Sequence, residues 1–348
     1  MSLIKKTIIL SLFILVISSA WILSSYKNAL NQTLELQSDN FDYSIKSGSS
    51  LSAIIYDLAS KKIIKNPRYL LLYARLNRLS NKMKTGDYRL NKNMTTQDFL
   101  NNIFSGKVIQ YSLTIIEGWS FKQLVEAINA HPHIKHTINN LSYSEIMSKL
   151  SLSDMHYEGQ FLPDTYHFPK DLTDIEFLKR AHSSLNTVLK EEWDNRAVGL
   201  LYKNSYEALI MASIVEKETG QASERKQIAG VFVRRLEKKM RLQTDPTVIY
   251  GMGEAYKGNI RKRDLLKDTP YNTYRRSGLP PTPIALPGRD AIHAALHPAD
   301  GDALYFVSRG DGSHQFSATL QEHNKAVIKY QLKGRVRSFS SYKHKKAN

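Results

Sequence analysis

The stretch E-A-L-I-M-A-S-I-V-E-K-E-T-G at residues 207–220 decides how the rest of the chain is read. From Ala208 to Val215 only Ser213 is polar, so a helix here has no wet face and must be buried all round. Gly220 stands just past the helix, where a left-handed stop is easiest to form. Immediately before it come two carboxylates, Glu216 and Glu218. At ~100° per residue they point about 200° apart and cannot enter one pocket. One is then available as a working acid, and the other is solvated or paired with a basic side chain. Glu218 lies on the row of Ile214 and Met211, and helical side chains lean back over that row. Apolar surroundings raise a carboxyl pKa, which suits a proton donor near neutral pH. The same spacing also fits an ordinary helix end with two exposed glutamates.

Beyond this helix the sequence predicts an amphipathic helix over Ala222–Arg241, with Ile228, Val231, Phe232 and Leu236 on one face. Two unusual loops follow. R-L-Q-T-D-P-T-V-I-Y at 241–250 packs hydrogen-bonding side chains before a proline. Y-N-T-Y at 271–274 leads into a proline-rich run from Gly278 to Gly288, a stiff wall that cannot enter a sheet interior. Tyr, Asn, Gln and Thr stack on and hydrogen-bond to sugar rings, although Asn, Asp, Gly and Pro are turn residues in any case. With one half-buried acid, the loops suggest a groove for a neutral or amino-sugar chain. On the other side of the helix, E-G-Q-F-L-P-D-T-Y at 158–166 opens the last domain, and Asp174–Val188 and Glu192–Val198 read as helical.

The first half carries a hidden repeat. Ser44–Leu51 and Thr114–Phe121 each run from a short strand through a glycine turn to a serine N-cap and a helix. Leu51, Ile54 and Leu58 match Phe121, Leu124 and Ile128 at helical spacing. Between the two units a helix is expected near Pro67–Arg75, a strand near Thr85–Leu90 and a helix from Thr96. On I-K-S-G-S-S-L-S at 45–52 the first unit resembles the LysM fold, which implies binding of amino-sugar polymers; a packing domain without a ligand fits equally.

The N-terminus sets the compartment. Thr7–Ser25 is nineteen residues without a charge, ~28 Å as a helix and close to a bilayer core. Lys5 and Lys6 before it predict a cytoplasmic N-terminus with the bulk outside. Ser18, Ser19 and Ala20 would suit signal cleavage. Apolar character resumes at Trp21, however, which favours a retained anchor. The formal charge of +17 favours anionic partners, and export argues against nucleic acid. There is no cysteine, so disulfides and thiolate metal sites are excluded. His131, His133 and His136 lack a fixed carboxylate partner and read as solvated, and the other common cofactor motifs are missing. No metal or cofactor is expected.

M-A-S-I-V-E-K-E-T at 211–219, R-L-Q-T-D-P-T-V-I-Y-G-M-G at 241–253, Y-N-T-Y at 271–274, P-D-T-Y at 163–166 and L-Y-F-V at 304–307 resemble the YceG-like family of endolytic murein transglycosylases. The resemblance covers nearly the whole chain. It implies an inner-membrane lyase that cuts nascent peptidoglycan strands between N-acetylmuramic acid and N-acetylglucosamine, leaving a 1,6-anhydro end and terminating elongation. It places the catalytic acid on Glu218, the second Glu of E-K-E, and a synthase of the wall machinery among the partners. Thr282 departs from the family's P-P-G pattern. Gln243, Thr244, Asp245, Tyr250, Tyr271, Asn272 and Tyr274 are the candidates for holding the sugars, with Asp245 a second carboxylate that could steady a cation. The alternative is a non-catalytic, membrane-anchored scaffold that grips peptidoglycan.

The expected fold is α+β, with an N-terminal transmembrane helix, LysM-like α/β subdomains and a mixed α+β catalytic domain. The expected segments are a cytoplasmic tail (1–6), anchor (7–25), linker (26–40), LysM-like unit (41–107), second strand–turn–helix unit (108–157), catalytic domain (158–336) and basic tail (337–348).

Overall fold

The computed structural model describes residues 3–46, 48–79 and 83–335. The basic tail expected over 337–348 lies outside the described residues. The fold is mixed α+β, and the chain divides into two compact units: Met1–Tyr111 with His167–Leu172, and Ser112–Tyr166 with Thr173–Asn348.

The first unit opens with α1 (Leu3–Asn31), whose apolar residues from Ile4 to Leu23 are exposed. One long apolar helix is therefore present, with a mean hydropathy of 2.3 and none of its apolar window buried. The polar stretch expected as a linker over 26–40 begins as helix. α1 runs on to Asn31, and Ala29 and Leu30 are already buried in the first unit's core, because α1 packs on α3 and α4 there. The unit continues as β1 (Asn40–Ile45), α2 (Leu51–Ser60), α3 (Pro67–Leu76), β2 (Gly86–Asn91) and α4 (Thr96–Ser105). β1 and β2 pair antiparallel, with Asn40 opposite Asn91 and Ile45 opposite Gly86. Ile55, Leu58, Leu70, Tyr88 and Phe99 fill the core beneath them.

Two short strands, β3 (Tyr111–Thr114) and, later in the chain, β5 (Thr165–Phe168), carry the sequence across the division. The second unit holds α5 (Phe121–Ala130), β4 (Ile134–Lys135), α6 (Tyr143–Lys149), α7 (Asp174–Asp194), α8 (Ser205–Glu218), α9 (Arg225–Glu237), α10 (Asp245–Met252), α11 (Lys262–Leu266) and α12 (Arg289–Leu296). It closes with the hairpin β7 (Tyr305–Ser308) and β8 (His314–Ser317), followed by α13 (Leu320–Tyr330). A two-residue strand, β6 (Leu172–Thr173), precedes α7. α7 is one helix where two were expected, since Lys190 and Glu191 do not interrupt it. The helix expected over Ala222–Arg241 is a 3₁₀ turn at Ala222–Glu224 and then α9.

The repeat is real at the level of caps and core. Ser50 Oγ accepts from Ala53 N–H, and Ser120 Oγ accepts from Gln123 N–H. Gly48 and Gly118 are both left-handed, at φ 82° and 76°. The buried triads are Leu51, Ile54, Leu58 and Phe121, Leu124, Ile128. The second copy belongs to the same compact unit as the chain through Tyr166 and from Thr173 onward. Phe121 stacks on Phe161 at 5.3 Å between centroids, and Gly118 N–H donates to Leu286 O.

α8 is the core of the second unit: every residue from Ala208 to Val215 is buried. α7, α9, α10 and α12 pack around it. Its one polar core residue is fully used. Ser213 Oγ donates to Ile210 O at 2.7 Å and accepts from Ile284 N–H at 3.0 Å, tying the proline-rich loop to the helix. The helix does not end on a left-handed Gly220. Thr219 is extended, at φ −145° and ψ 135°, and Gly220 is not among the left-handed glycines.

Candidate active site

The two carboxylates at the end of α8 face different partners. Glu216 is nearly sealed, with 6% of its side chain exposed. It accepts from Gly288 N–H at 3.0 Å and lies 3.6 Å from the Arg225 guanidinium. Arg225 also meets Glu117 and Asp290, each at 3.1 Å. Glu117 lies close over Gly288: a Cβ there would sit 2.0 Å from Glu117 Oε1 and would make that side chain shift. Burial pushes the Glu216 carboxyl above its ordinary pKa. Between the two acids, Lys217 Nζ donates to Gly118 O at 3.1 Å.

Glu218 is half-buried and touches no cation among the described residues; its Oε1 accepts from the Thr244 hydroxyl. Burial drives its pKa up to about 7, and the nearby charge of Asp245 adds to the rise. Thr244, His314 and Arg235 act the other way. Arg235 is not a partner in contact: it donates to Leu304 O at 2.7 Å and Leu242 O at 2.6 Å and lies over the Tyr305 ring.

The Glu218 cradle is built by the two loops singled out in the sequence. Thr244 stands at the N-cap position of α10 but makes no side-chain cap bond, and it is held by its neighbours: its N–H donates to Thr273 Oγ1 at 3.1 Å, and its carbonyl accepts from Thr247 Oγ1 at 2.8 Å. Gln243 is exposed and adopts a left-handed φ of 52°, a strained conformation for a residue with a Cβ. Its N–H donates to Thr273 O at 3.2 Å, so the 271–274 loop holds it there. Asp245 is exposed and accepts from Tyr274 OH at 2.6 Å. Both burial and Asp245 hold the Tyr274 phenol protonated. Tyr271 OH lies 2.9 Å from Thr282 Oγ1, and its ring meets Tyr250 edge-on at 4.8 Å.

The structure thus brings Glu218, Thr244, Asp245 and Tyr274 together, with Tyr250 and Tyr271 paired further along. It does not bring Asn272 to the surface. That side chain is 1% exposed, donates to Lys267 O and Leu265 O, and accepts from Tyr274 N–H. It holds the loop and has nothing left for a sugar. Nor does the proline wall stand at the acid. With Tyr206, Glu207 and Ile210, Pro280 and Pro281 line a cavity of about 530 Å³ near the start of α8. Glu207 and Glu218 are eleven residues apart, ~16 Å along the axis.

Three polar groups here were missed in the sequence. His314, on β8, sits against Glu224: Nδ1 is 2.7 Å from Oε2, and the His314 N–H donates to Oε1 at 2.9 Å. Glu224 falls within the helix expected over Ala222–Arg241 and His314 in a loop-like stretch, so neither carried a signal beyond being titratable. Glu158 is 2% exposed, accepts from Phe121 N–H at 2.8 Å and is hydrogen-bonded by Tyr250. Burial raises its pKa to about 7. Its signal was its place directly before a glycine, in a run that otherwise packs: Gly159 is left-handed, and a Cβ there would strike Pro283 at 2.4 Å.

Fold and site define an α+β protein with an N-terminal apolar helix, presenting two elevated carboxyls at the end of a buried helix, of which only Glu216 meets a cation among the described residues. Residues 43–329 match the model of the YceG-like family, and the chain belongs to that family. It is 34% identical over 328 residues to the endolytic murein transglycosylase of Bacillus subtilis (strain 168), covering 88% of this chain and 89% of that one. It is 26% identical over 363 residues to the protein of the same name from Streptococcus pneumoniae serotype 2 (strain D39), covering 94% of this chain and 65% of that one. A 2.6 Å crystal structure of a YceG-like protein from Listeria monocytogenes matches with a TM-score of 0.53 and 33% identity, over 82% of this chain and 99% of that one.

Proposed function

We propose that this chain is a lytic transglycosylase that cuts peptidoglycan glycan strands internally, with Glu218 as its single acid and base. The observation that carries the reading is the Glu218 carboxyl itself: half-buried, paired with no cation among the described residues, and raised to about 7. Thr244 occupies Oε1, which leaves Oε2 to face substrate. Protonated Glu218 gives its proton to the oxygen between N-acetylmuramic acid and N-acetylglucosamine, and the C1–O bond breaks. The ionised carboxylate then takes the proton of the muramyl C6 hydroxyl as that oxygen closes onto C1. The product is a 1,6-anhydro end, and Glu218 is again protonated. The nucleophile belongs to the substrate, so proximity replaces water activation. In this reading exposed Gln243 and the phenols of Tyr271 and Tyr274 hold the sugars, while Thr244 and Asn272 act by shaping the cradle.

Asp245 supports a second reading, a muramidase. It is a carboxylate whose charge reaches Glu218, and two carboxylates are the usual equipment of a hydrolase. Mass spectrometry of purified sacculi treated with the full chain separates the two, since hydrolysis adds a water and transglycosylation does not. The proposal requires anhydro-muropeptides that disappear in Glu218→Gln; unchanged digestion by that variant would end it. Absence of any cleavage by the native chain would leave a wall-binding scaffold.

The setting is part of the proposal. α1 anchors the chain in the plasma membrane with its N-terminus inside and the rest of the chain outside, where nascent strands and their synthases meet the catalytic unit. The likeness of the first unit to LysM makes it a candidate second grip on the glycan.

A further inference from the structure

We propose that Glu192, His293 and His297 form a binding site for one zinc-like divalent metal ion, separate from the Glu218 cradle. His293 and His297 stand four residues apart at the end of α12, the spacing that stacks two side chains on one helix face. Their rings lie nearly parallel, 4.2 Å between centroids and 19° apart. Glu192, in the last turn of α7, brings Oε2 to 2.7 Å from His293 Nδ1. One atom from each residue falls in a set whose members all lie within 4.8 Å of one another. Metal–ligand bonds of ~2.0–2.2 Å need tetrahedral ligand atoms ~3.3–3.5 Å apart, so small rotations close the set on an ion.

The surroundings orient these ligands. Arg289 Nε donates to Glu192 Oε1 at 3.2 Å and its Nη2 donates to Glu191 Oε2 at 3.0 Å, which fixes the carboxylate and leaves Oε2 of Glu192 for the ion. His297 Nε2 lies 2.8 Å from Asn195 O. A backbone carbonyl that accepts from the far nitrogen of a histidine is the usual support of a metal ligand, because it leaves the near lone pair free. His297 Nδ1 also faces a carbonyl, that of His293, at 3.2 Å. An imidazole with one N–H serves only one of those two oxygens, and a metal on Nδ1 would draw it out of that unfavourable contact. Two imidazoles and a carboxylate suit zinc; magnesium and calcium ask for six or more oxygens. His293 is 39% exposed at its side chain, which gives the ion an entry path and room for a water as fourth ligand. Such an ion would staple α7 to α12, and α12 packs against α8, the helix that presents Glu218.

The test uses the full chain in detergent, stripped with a chelator and dialysed against low-micromolar zinc or magnesium. The expected result is one zinc and no magnesium retained per chain. At 100-fold excess over Kd, zinc should raise the thermal midpoint by about 5 °C. His293→Ala with His297→Ala should weaken zinc retention about ten-fold or more. His131→Asn with His133→Asn, a pair of neighbouring histidines elsewhere in the unit, should leave it unchanged. Cobalt on the unmutated chain should give the visible absorption of a tetrahedral site, a readout that depends on no variant. A native chain that retains no zinc and shows no cobalt band, or a 293/297 variant that retains as much as native, overturns the proposal.

Discussion

The two sides of one helix end give the sharpest contrast in the molecule. Glu216 and Glu218 are two residues apart, and burial raises both. On the Glu216 side the carboxyl meets a backbone N–H and an arginine shared with Glu117 and Asp290. On the Glu218 side it meets one hydroxyl and, among the described residues, no cation. The first side is an ion-pair network that fixes the end of α8 against the start of α12. The second is a carboxyl free to change protonation state. A difference of about 200° around the axis separates the acid held in an ion-pair network from the acid proposed to react.

The largest expected effect breaks that contrast directly. Glu218→Gln should reduce anhydro-product formation by about 10³-fold or more, near the upper range of acid–base catalysis, while Glu216→Gln stays within about ten-fold; muropeptide analysis of both variants checks it. If the two variants lose activity equally, the contrast is not catalytic. Next is the network side. Arg225→Met strands Glu216 beside Glu117, and the stability loss should be about 3 kcal/mol, read as a fall of roughly 6–12 °C in the thermal midpoint.

Stability against pH follows from the sign of the shift. Glu218 binds its proton more tightly folded than unfolded, as Glu158 does, each rising to about 7. Their contribution is fully present below the ordinary carboxyl pKa and is lost as pH rises from about 4.5 to about 7. Glu218→Gln should therefore flatten that decline and be more stable than native at pH 8 by about 1–3 kcal/mol, with the two close at pH 4.5. A smaller change is expected from Thr244→Val. Removing a hydrogen bond that favours the charged carboxylate raises the acid further, so the alkaline limb of the pH–rate profile should move up by about one unit, with turnover reduced up to about ten-fold.

Much of this was legible before any coordinates. The apolar run from Ala208 to Val215 required a buried helix, and the serine caps with their apolar triads placed α2 and α5. These signals are local, and local physics decides them. What stayed hidden depends on distant partners. Asn272 read as a sugar contact because its type suits one, yet the carbonyls of Leu265 and Lys267 take it. The continuation of α1 through Asn31 is decided by packing on α3 and α4, which periodicity does not report. His314 with Glu224 and Glu158 with Phe121 are ninety and thirty-seven residues apart, so no spacing rule connects them.

The most direct measurement is the protonation midpoint of Glu218, from the carbon-13 carboxyl shift of labelled native chain, assigned by difference with Glu218→Gln. The account expects a midpoint near 7, well clear of the exposed glutamates. A midpoint at the ordinary value near 4.3 would mean that the carboxyl is ionised at neutral pH, and the single-acid mechanism would have no proton to give.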